Sequence, residues 1–373
     1  MVLSRVVVVW KSIAASALAL GLIGGAEART PSPAILVAAQ GKNPGENALL
    51  IVDPATKAVV SRVPLRGQPH HIAVSPDGRF AYTSNSVRGT DAMNFPGVPK
   101  KAGDPDPLPQ DTISIVDLDA QKEVGLVDVG AGANPHGIYF SAGKVYFTAE
   151  GNKVVGRYDP VRDVVDWTAG VGQNRVHDLV VTRDGSKIFT ANIGSDNVAL
   201  LAPWDPAFDA LTFGSRPPPW NMTLIPVGNG AEGIGLTPDE KEVWIANRGA
   251  ATVSVIDVAT RKVVATIALN TKEPIRLTIT PDGKHALVPG KTGEIIVLDT
   301  KTRKIIKRIP DVGTQIHGIV LSPDSLLAYA AVQASADVAI IDMKTLALAG
   351  RIPMGTGKEP FDGIDGLAWA QRH

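Results

Sequence analysis

The chain contains no cysteine. This excludes disulfides, haem c attached through C-x-x-C-H, iron–sulfur clusters and thiolate-held copper or zinc, so any metal here must be held by nitrogen and oxygen. Net charge is also missing, since 37 basic side chains face 37 acidic ones, and no block of one sign is long enough to track nucleic acid or hold a membrane surface. After Ala28 no stretch reaches the roughly 18 consecutive apolar residues that a membrane span needs. Nor is there a G-x-S-x-G elbow, a glycine-rich phosphate loop or an H-E-x-x-H helix. The absences predict a protein without a nucleic-acid partner and without stable membrane insertion.

The first residues carry a different signal. Arg5 and Lys11 precede an apolar run at 13–23, and Ala26-Glu27-Ala28 has the small-x-small form of a signal peptidase site. Residues 1–28 read as a cleaved signal peptide, with an uncleaved signal anchor as the alternative, and the mature protein is expected in a bacterial periplasm or secreted. Residues 29–373 then form one domain, because repeat architectures reach this length as a single unit.

That domain is repetitive. An apolar strand, a turn of the S-P-D-G type, a second strand, a loop and a third strand ending in Asp recur about every 40 residues. The clearest copy spans 69–85, with Ser75-Pro76-Asp77-Gly78 at its turn. Others turn at Thr237-Pro238-Asp239, Thr280-Pro281-Asp282-Gly283 and Ser322-Pro323-Asp324, and two weaker ones at Ser141-Ala142-Gly143 and Arg183-Asp184-Gly185. Third strands such as Thr-Val-Ser-Val-Ile-Asp at 252–257 are rich in β-branched residues, and a polar turn leads each into a fourth strand. Each unit is therefore predicted as a four-stranded antiparallel meander. One such sheet cannot bury both faces, but several packed around an axis can, which is the β-propeller solution.

Seven innermost strands are predicted, beginning near His70, His136, His177, Glu232, Ile275, His317 and Asp365. The segment 34–39 resembles a second strand and 364–369 a first strand with nothing after it. The C-terminal strand should therefore pair into the N-terminal blade and close the ring. The repeat P-x-x-I-A-V-S-P-D-G-x-x-x-Y-x-x-N at 69–85, followed elsewhere by V-S-V-I-D, resembles that of the YVTN family of bacterial propellers, within the lactonase-like and cytochrome d1-like group. The likeness covers about 34–369. It implies an all-β, seven-bladed β-propeller of four-stranded antiparallel blades; because that family includes enzymes, cofactor carriers and surface proteins, it implies no single activity.

Chemistry is concentrated at one repeat position. Reading the start of each innermost strand around the ring gives Asp365, His70, His136, His177, Glu232, Ile275 and His317. The chain has seven histidines, and four fall here with His71 adjacent. First strands line a propeller's central channel, so these side chains should converge at one mouth. His70, His136, His177 and His317 are the expected metal ligands, for copper or iron ahead of zinc, while Glu232 and Asp365 are expected as acid–base groups or further ligands. Asp178 and Asp362 lie near enough in sequence to support them, and Arg175 and Arg276 sit beside the ring, suited to an anionic substrate or cofactor. A metal-free polar site and a repeat residue merely inherited by each blade remain open alternatives.

Two insertions interrupt the repeat. Residues 86–111, with Arg88, Met93, Phe95, Lys100 and Lys101, belong to the same face as the ring and read as a lid or a solvated loop. Residues 203–220 belong to the opposite face, where Trp204, Phe208, Phe213, Trp220 and three consecutive prolines suggest a packing or partner patch. Three functions are compatible with these features: a metal-dependent oxidoreductase acting on a small molecule at the mouth, a lactonase-like hydrolase using Glu232 and a neighbouring histidine, and a non-enzymatic propeller that binds a protein or ligand on one face.

Overall fold

The computed structural model describes residues 30–41, 45–86, 110–205, 220–355 and 361–372. Among the described residues, twenty-eight strands and one 3-10 turn, Ile193–Ser195, make up the regular structure. They form seven four-stranded antiparallel sheets. The signal-peptide reading of residues 1–28, the body of the 86–111 insertion and most of the 203–220 insertion fall outside the described residues. No helix among the described residues is long and apolar enough to cross a membrane.

Blade 1 holds Ala34–Gly41, Ala48–Asp53 and Ala58–Pro64, with the C-terminal strand Phe361–Ala370 innermost. Trp369 pairs with Ile35 and Leu367 with Val37, so the last strand of the chain closes the ring as expected, and is longer than the expected 364–369. Inner strands Pro69–Val74, Pro135–Ser141, Val176–Val181, Ala231–Leu236, Thr278–Ile279 and Ile316–Leu321 start blades 2 to 7.

Burial follows strand position. Outermost strands such as Lys262–Ala268 alternate exposed and half-buried residues along their whole length, the period-two pattern of a sheet edge wet on one side. Middle strands such as Ala48–Asp53 are buried almost throughout, because a blade has another blade on each face. Alternate residues of one strand serve different interfaces: Ile35, Val37 and Ala39 pack against blade 7, whereas Ala34 and Leu36 pack against blade 2. Each of seven hydrophobic clusters spans one interface between successive blades. Trp244, fully buried between blades 5 and 6, is the largest such side chain.

Blade 6 departs from the sequence expectation. Its inner strand was expected to begin near Ile275, yet only Thr278 and Ile279 pair with the next strand. Pro274 has no amide hydrogen for a ladder, and Glu273 before it takes φ 44°. The segment entering blade 6 thus leaves the sheet, and Ile275 and the buried Arg276 both face the mouth.

Candidate functional site at the channel mouth

A local backbone feature puts the ring side chains in the channel. In blades 2, 3, 4, 5 and 7 the register between the first two strands shifts across the ring position: between Pro69 and Ile72, Pro135 and Ile138, Val176 and Asp178, Ala231 and Gly233, and Ile316 and Gly318. In blade 1 the shift falls at Val37/Ala39, opposite the step from Leu367 to Ile364 that contains Asp365. A β-bulge bends its strand and re-aims a side chain, so six bulges turn six ring residues toward the axis. In four blades the residue after the ring position is glycine, namely Gly137, Gly233, Gly318 and Gly366. A Cβ on Gly366 would stand 2.3 Å from the His70 carbonyl oxygen, and one on Gly233 2.6 Å from the Arg276 backbone. Only glycine lets the inner strands approach this closely.

The imidazoles form a continuous row. Ring centroids are 4.1 Å apart for His70 and His136, 3.6 Å for His136 and His177, and 4.9 Å for His70 and His71. Two groups bring nitrogen or oxygen atoms within 4.8 Å of one another: His70 with His71 and His136, and His136 with Glu150 and His177. Of the four histidines expected together, His70, His136 and His177 adjoin. His317 instead places Nδ1 3.7 Å from the Asp365 carboxylate and belongs to neither group. Asp365, fully buried, also lies 3.4 Å from His70 Nε2. Glu232 lies 3.6 Å from His177 Nε2 and 3.4 Å from an Arg248 nitrogen.

The two expected arginines differ in role. Arg276 is buried in the middle of the ring, with Nη1 3.5 Å from His177 Nε2 and 3.9 Å from Glu232, Nη2 4.0 Å from Asp365, and Nε donating to the His317 carbonyl. Arg175 is half exposed, 4.0 Å from Glu150. The side chain of Asp362 lies outside the described residues.

Glu150 is the main residue the sequence reasoning passed over. Its Oε1 meets His177 Nδ1 at 2.5 Å. It directly follows a second strand, Lys144–Ala149, and the same position holds Ser86, Arg248 and Gln333 in other blades, all lining the mouth. Comparing that position across blades would have found it. A similar comparison explains His71 and Asp178, which replace the glycine after the ring position in blades 2 and 4 and face each other, His71 Nδ1 to Asp178 Oδ1, at 3.8 Å.

Burial governs the electrostatics. It pushes His71 and His177 well below the ordinary imidazole value, helped in both by the Arg276 charge, and does the same to His136 with help from the neighbouring imidazoles. All three are neutral at pH 7 and can act as ligands. Burial pushes Glu150 up to about 7 and Asp178 up to about 6, and raises Glu232, against the opposing pull of nearby arginines. The row opens upward into a cavity of about 700 Å³ lined by ring residues together with Glu150, Arg175, Arg248, Glu273 and Lys291.

Fold and ring together define a closed seven-bladed β-propeller with a histidine-lined mouth. No family model and no curated protein matches the chain. Solved structures do. A functionally unknown protein from Desulfotomaculum acetoxidans DSM 771 aligns with TM-score 0.68 at 10% identity, over 92% of this chain and all of its own. A structure of hydrazine synthase from Kuenenia stuttgartiensis aligns with TM-score 0.63 at 19% identity, over 86% of this chain and 99% of that one. A Bacteroides uniformis ATCC 8492 protein provisionally assigned as a 6-phosphogluconolactonase gives 0.66 at 13%, over 91% and 99%. At these identities the likeness is one of fold.

Proposed function

We propose that this is an exported propeller of the YVTN-repeat type that holds one transition-metal ion, copper or iron ahead of zinc, at its channel mouth and uses it in redox chemistry. The observation carrying this reading is a pair of buried nitrogens: His71 Nε2 and His136 Nδ1 find no hydrogen-bond partner among the described residues. A buried polar atom left without a partner costs on the order of 1–3 kcal/mol, a cost that coordination removes. His70, His71 and His136 would hold the ion. Asp178, beside the other nitrogen of His71, would fix the orientation of that ring, as carboxylates do for histidine ligands. A bound copper or iron supplies one-electron chemistry and polarises an oxygen ligand. The chain's own residues neutralise and enclose it: Asp365 lies against His70, and Glu150, paired with His177, stands ready to take a proton from a substrate in the cavity.

Metal analysis of untagged protein after reconstitution tests this. About one equivalent is expected, falling more than tenfold when His71 and His136 are both changed to alanine. Less than about a tenth of an equivalent in the unaltered protein, with no change in the variant, would overturn it.

A second reading rests on the arrangement of Glu150, His177 and Glu232, in which one imidazole lies between two carboxyl groups. This chain of acid–base groups suits a metal-independent, lactonase-like hydrolase. Lactone turnover that persists in chelator and disappears with Glu150→Gln would favour it over the redox reading.

A further inference from the structure

The charged residues around the mouth cavity are sorted by depth. Four basic residues line it, Arg175, Arg248, Arg276 and Lys291, with four acidic ones, Glu150, Glu232, Glu273 and Asp365. The total is balanced, but the layers are not. At the rim, Arg175, Arg248 and Lys291 have 52%, 41% and 58% of their side chains exposed, and only one carboxylate, Glu273, accompanies them. Three cations against one anion leave an excess of two positive charges. On the floor the single cation Arg276 faces Glu150, Glu232 and Asp365, all buried or nearly so, which leaves an excess of two negative charges when Glu150 is ionised.

The cations are also gathered on one arc. Arg175 enters blade 4, Arg248 follows the second strand of blade 5 and Lys291 follows that of blade 6. The opposite arc offers neutral Ser86, Gln315 and Gln333. Glu273 sits between Arg248 and Lys291, at 3.0 and 2.7 Å, and all three line the cavity. Arg248 also reaches Glu232 at 3.4 Å, and Arg175 lies 4.0 Å from Glu150, so two of the rim cations stand directly over floor carboxylates.

The geometry points to a small organic dianion, of the dicarboxylate class, as the ligand of this cavity, bound to Arg175, Arg248 and Lys291 at the rim on the arc of blades 4 to 6. Guanidinium groups bind carboxylates through paired hydrogen bonds, and two negative charges match the rim's excess. The inference rests on the metal reading in one respect. A divalent ion would cancel the floor's negative excess, so the rim's field would reach the ligand undiminished. Ion and dianion should therefore bind cooperatively, each strengthening the other by the same factor.

Succinate is a suitable probe because it chelates metals weakly. Its binding is titrated calorimetrically into metal-free protein and into copper-loaded protein whose copper content has been measured, at low and physiological salt. Saturable binding is expected in both, roughly tenfold tighter with copper and weaker in salt. Changing Arg175 and Arg248 together to glutamine should weaken it by at least about tenfold while copper content stays constant, and Lys291→Met should weaken it less. Full copper content with no succinate binding, or with binding unaltered in the variants, overturns the dianion site and leaves the metal reading standing. Failure to load copper, with variant-sensitive succinate binding retained, supports the rim and removes the metal. Inorganic phosphate binding more than tenfold tighter than succinate overturns the dicarboxylate assignment. Circular dichroism and unfolding midpoints equal to those of the parent protein establish that the variants are folded.

Discussion

The two ends of this propeller use the same acidic side chains to opposite effect. At the lower end, Asp77, Asp239 and Asp324 lie in the turns between first and second strands, where the hydroxyls of Ser75, Thr237 and Ser322 donate to them. Those hydrogen bonds, with backbone amides adding to them, hold each carboxyl below its ordinary value. At the upper mouth Glu150, Asp178 and Glu232 are buried and their carboxyls are raised instead. A carboxylate repeated in almost every blade is part of the turn chemistry; one that appears in a single blade, desolvated among histidines, is costly to keep charged and is a functional candidate. Repetition itself separates scaffold from site.

The largest effect expected from breaking this contrast is at the upper wall. Gly366→Ala would put a methyl group 2.3 Å from the His70 carbonyl oxygen, a backbone atom fixed in the neighbouring blade. The strands must separate, at a cost of about 3 kcal/mol or more, and the row of imidazoles separates with them. Urea unfolding should show the loss, and metal content should fall with it. A variant of parental stability would mean that the blades at the mouth are loosely held.

Glu150→Gln should give the next largest effect, and its sign depends on pH. The folded carboxyl, pushed up to about 7 from its ordinary value of 4.5, keeps its proton where the unfolded chain has lost it. Wild-type stability therefore falls as pH rises through that window, and glutamine, with nothing to titrate, escapes the loss. The variant should gain on the wild type by about 2–3 kcal/mol between pH 4.5 and 7.5. The buried histidines act in the opposite direction, weakening the fold on acidification, but His71 and His136 do not touch Glu150 and cancel in the difference. A constant difference across this range would show that Glu150 is not desolvated.

The sequence made the scaffold legible because each blade repeats the same physical solution. Proline, Asp-Gly and β-branched runs recur at fixed offsets, and the match of 34–39 as a second strand with 364–369 as a first strand implied the closure that the pairing of Ile35 with Trp369 bears out. The site was legible only where it shared the repeat's phase. His70, His136 and His177 stood out as substitutions at one position. Glu150 did not, because it belongs to a different strand end, and only folding brings it against His177. Arg276 was expected beside the ring, whereas it is buried among the ring residues. Pro274 and the positive φ of Glu273 take the segment before Thr278 out of the ladder, and a strand that stops pairing cannot be read from a pattern that still looks apolar. Asp178 was expected near the ring from its place in the sequence, but its pairing with His71 depends on two blades that lie far apart in the sequence.

The smallest predicted effect lies at the lower end and bears on the other half of the comparison. Asp184 accepts hydrogen bonds from the Ser186 amide, the Thr182 hydroxyl and the Ser186 hydroxyl, which together hold it to about 2. Its contribution to stability is present above the ordinary carboxyl value of 3.8 and is lost as pH falls through about 2. Because the group is mostly exposed, solvent screens it, and Asp184→Asn should cost no more than about 1 kcal/mol at pH 7. That difference from the wild type should shrink to nothing in acid, opposite in slope to the Glu150 variant. Metal content and succinate affinity should not move, because the turn lies at the far end of the channel from the histidine row. If Asp184→Asn were to empty the metal site, the lower turns would have to be setting the geometry of the upper mouth, and the division between scaffold and site drawn from repetition would fail.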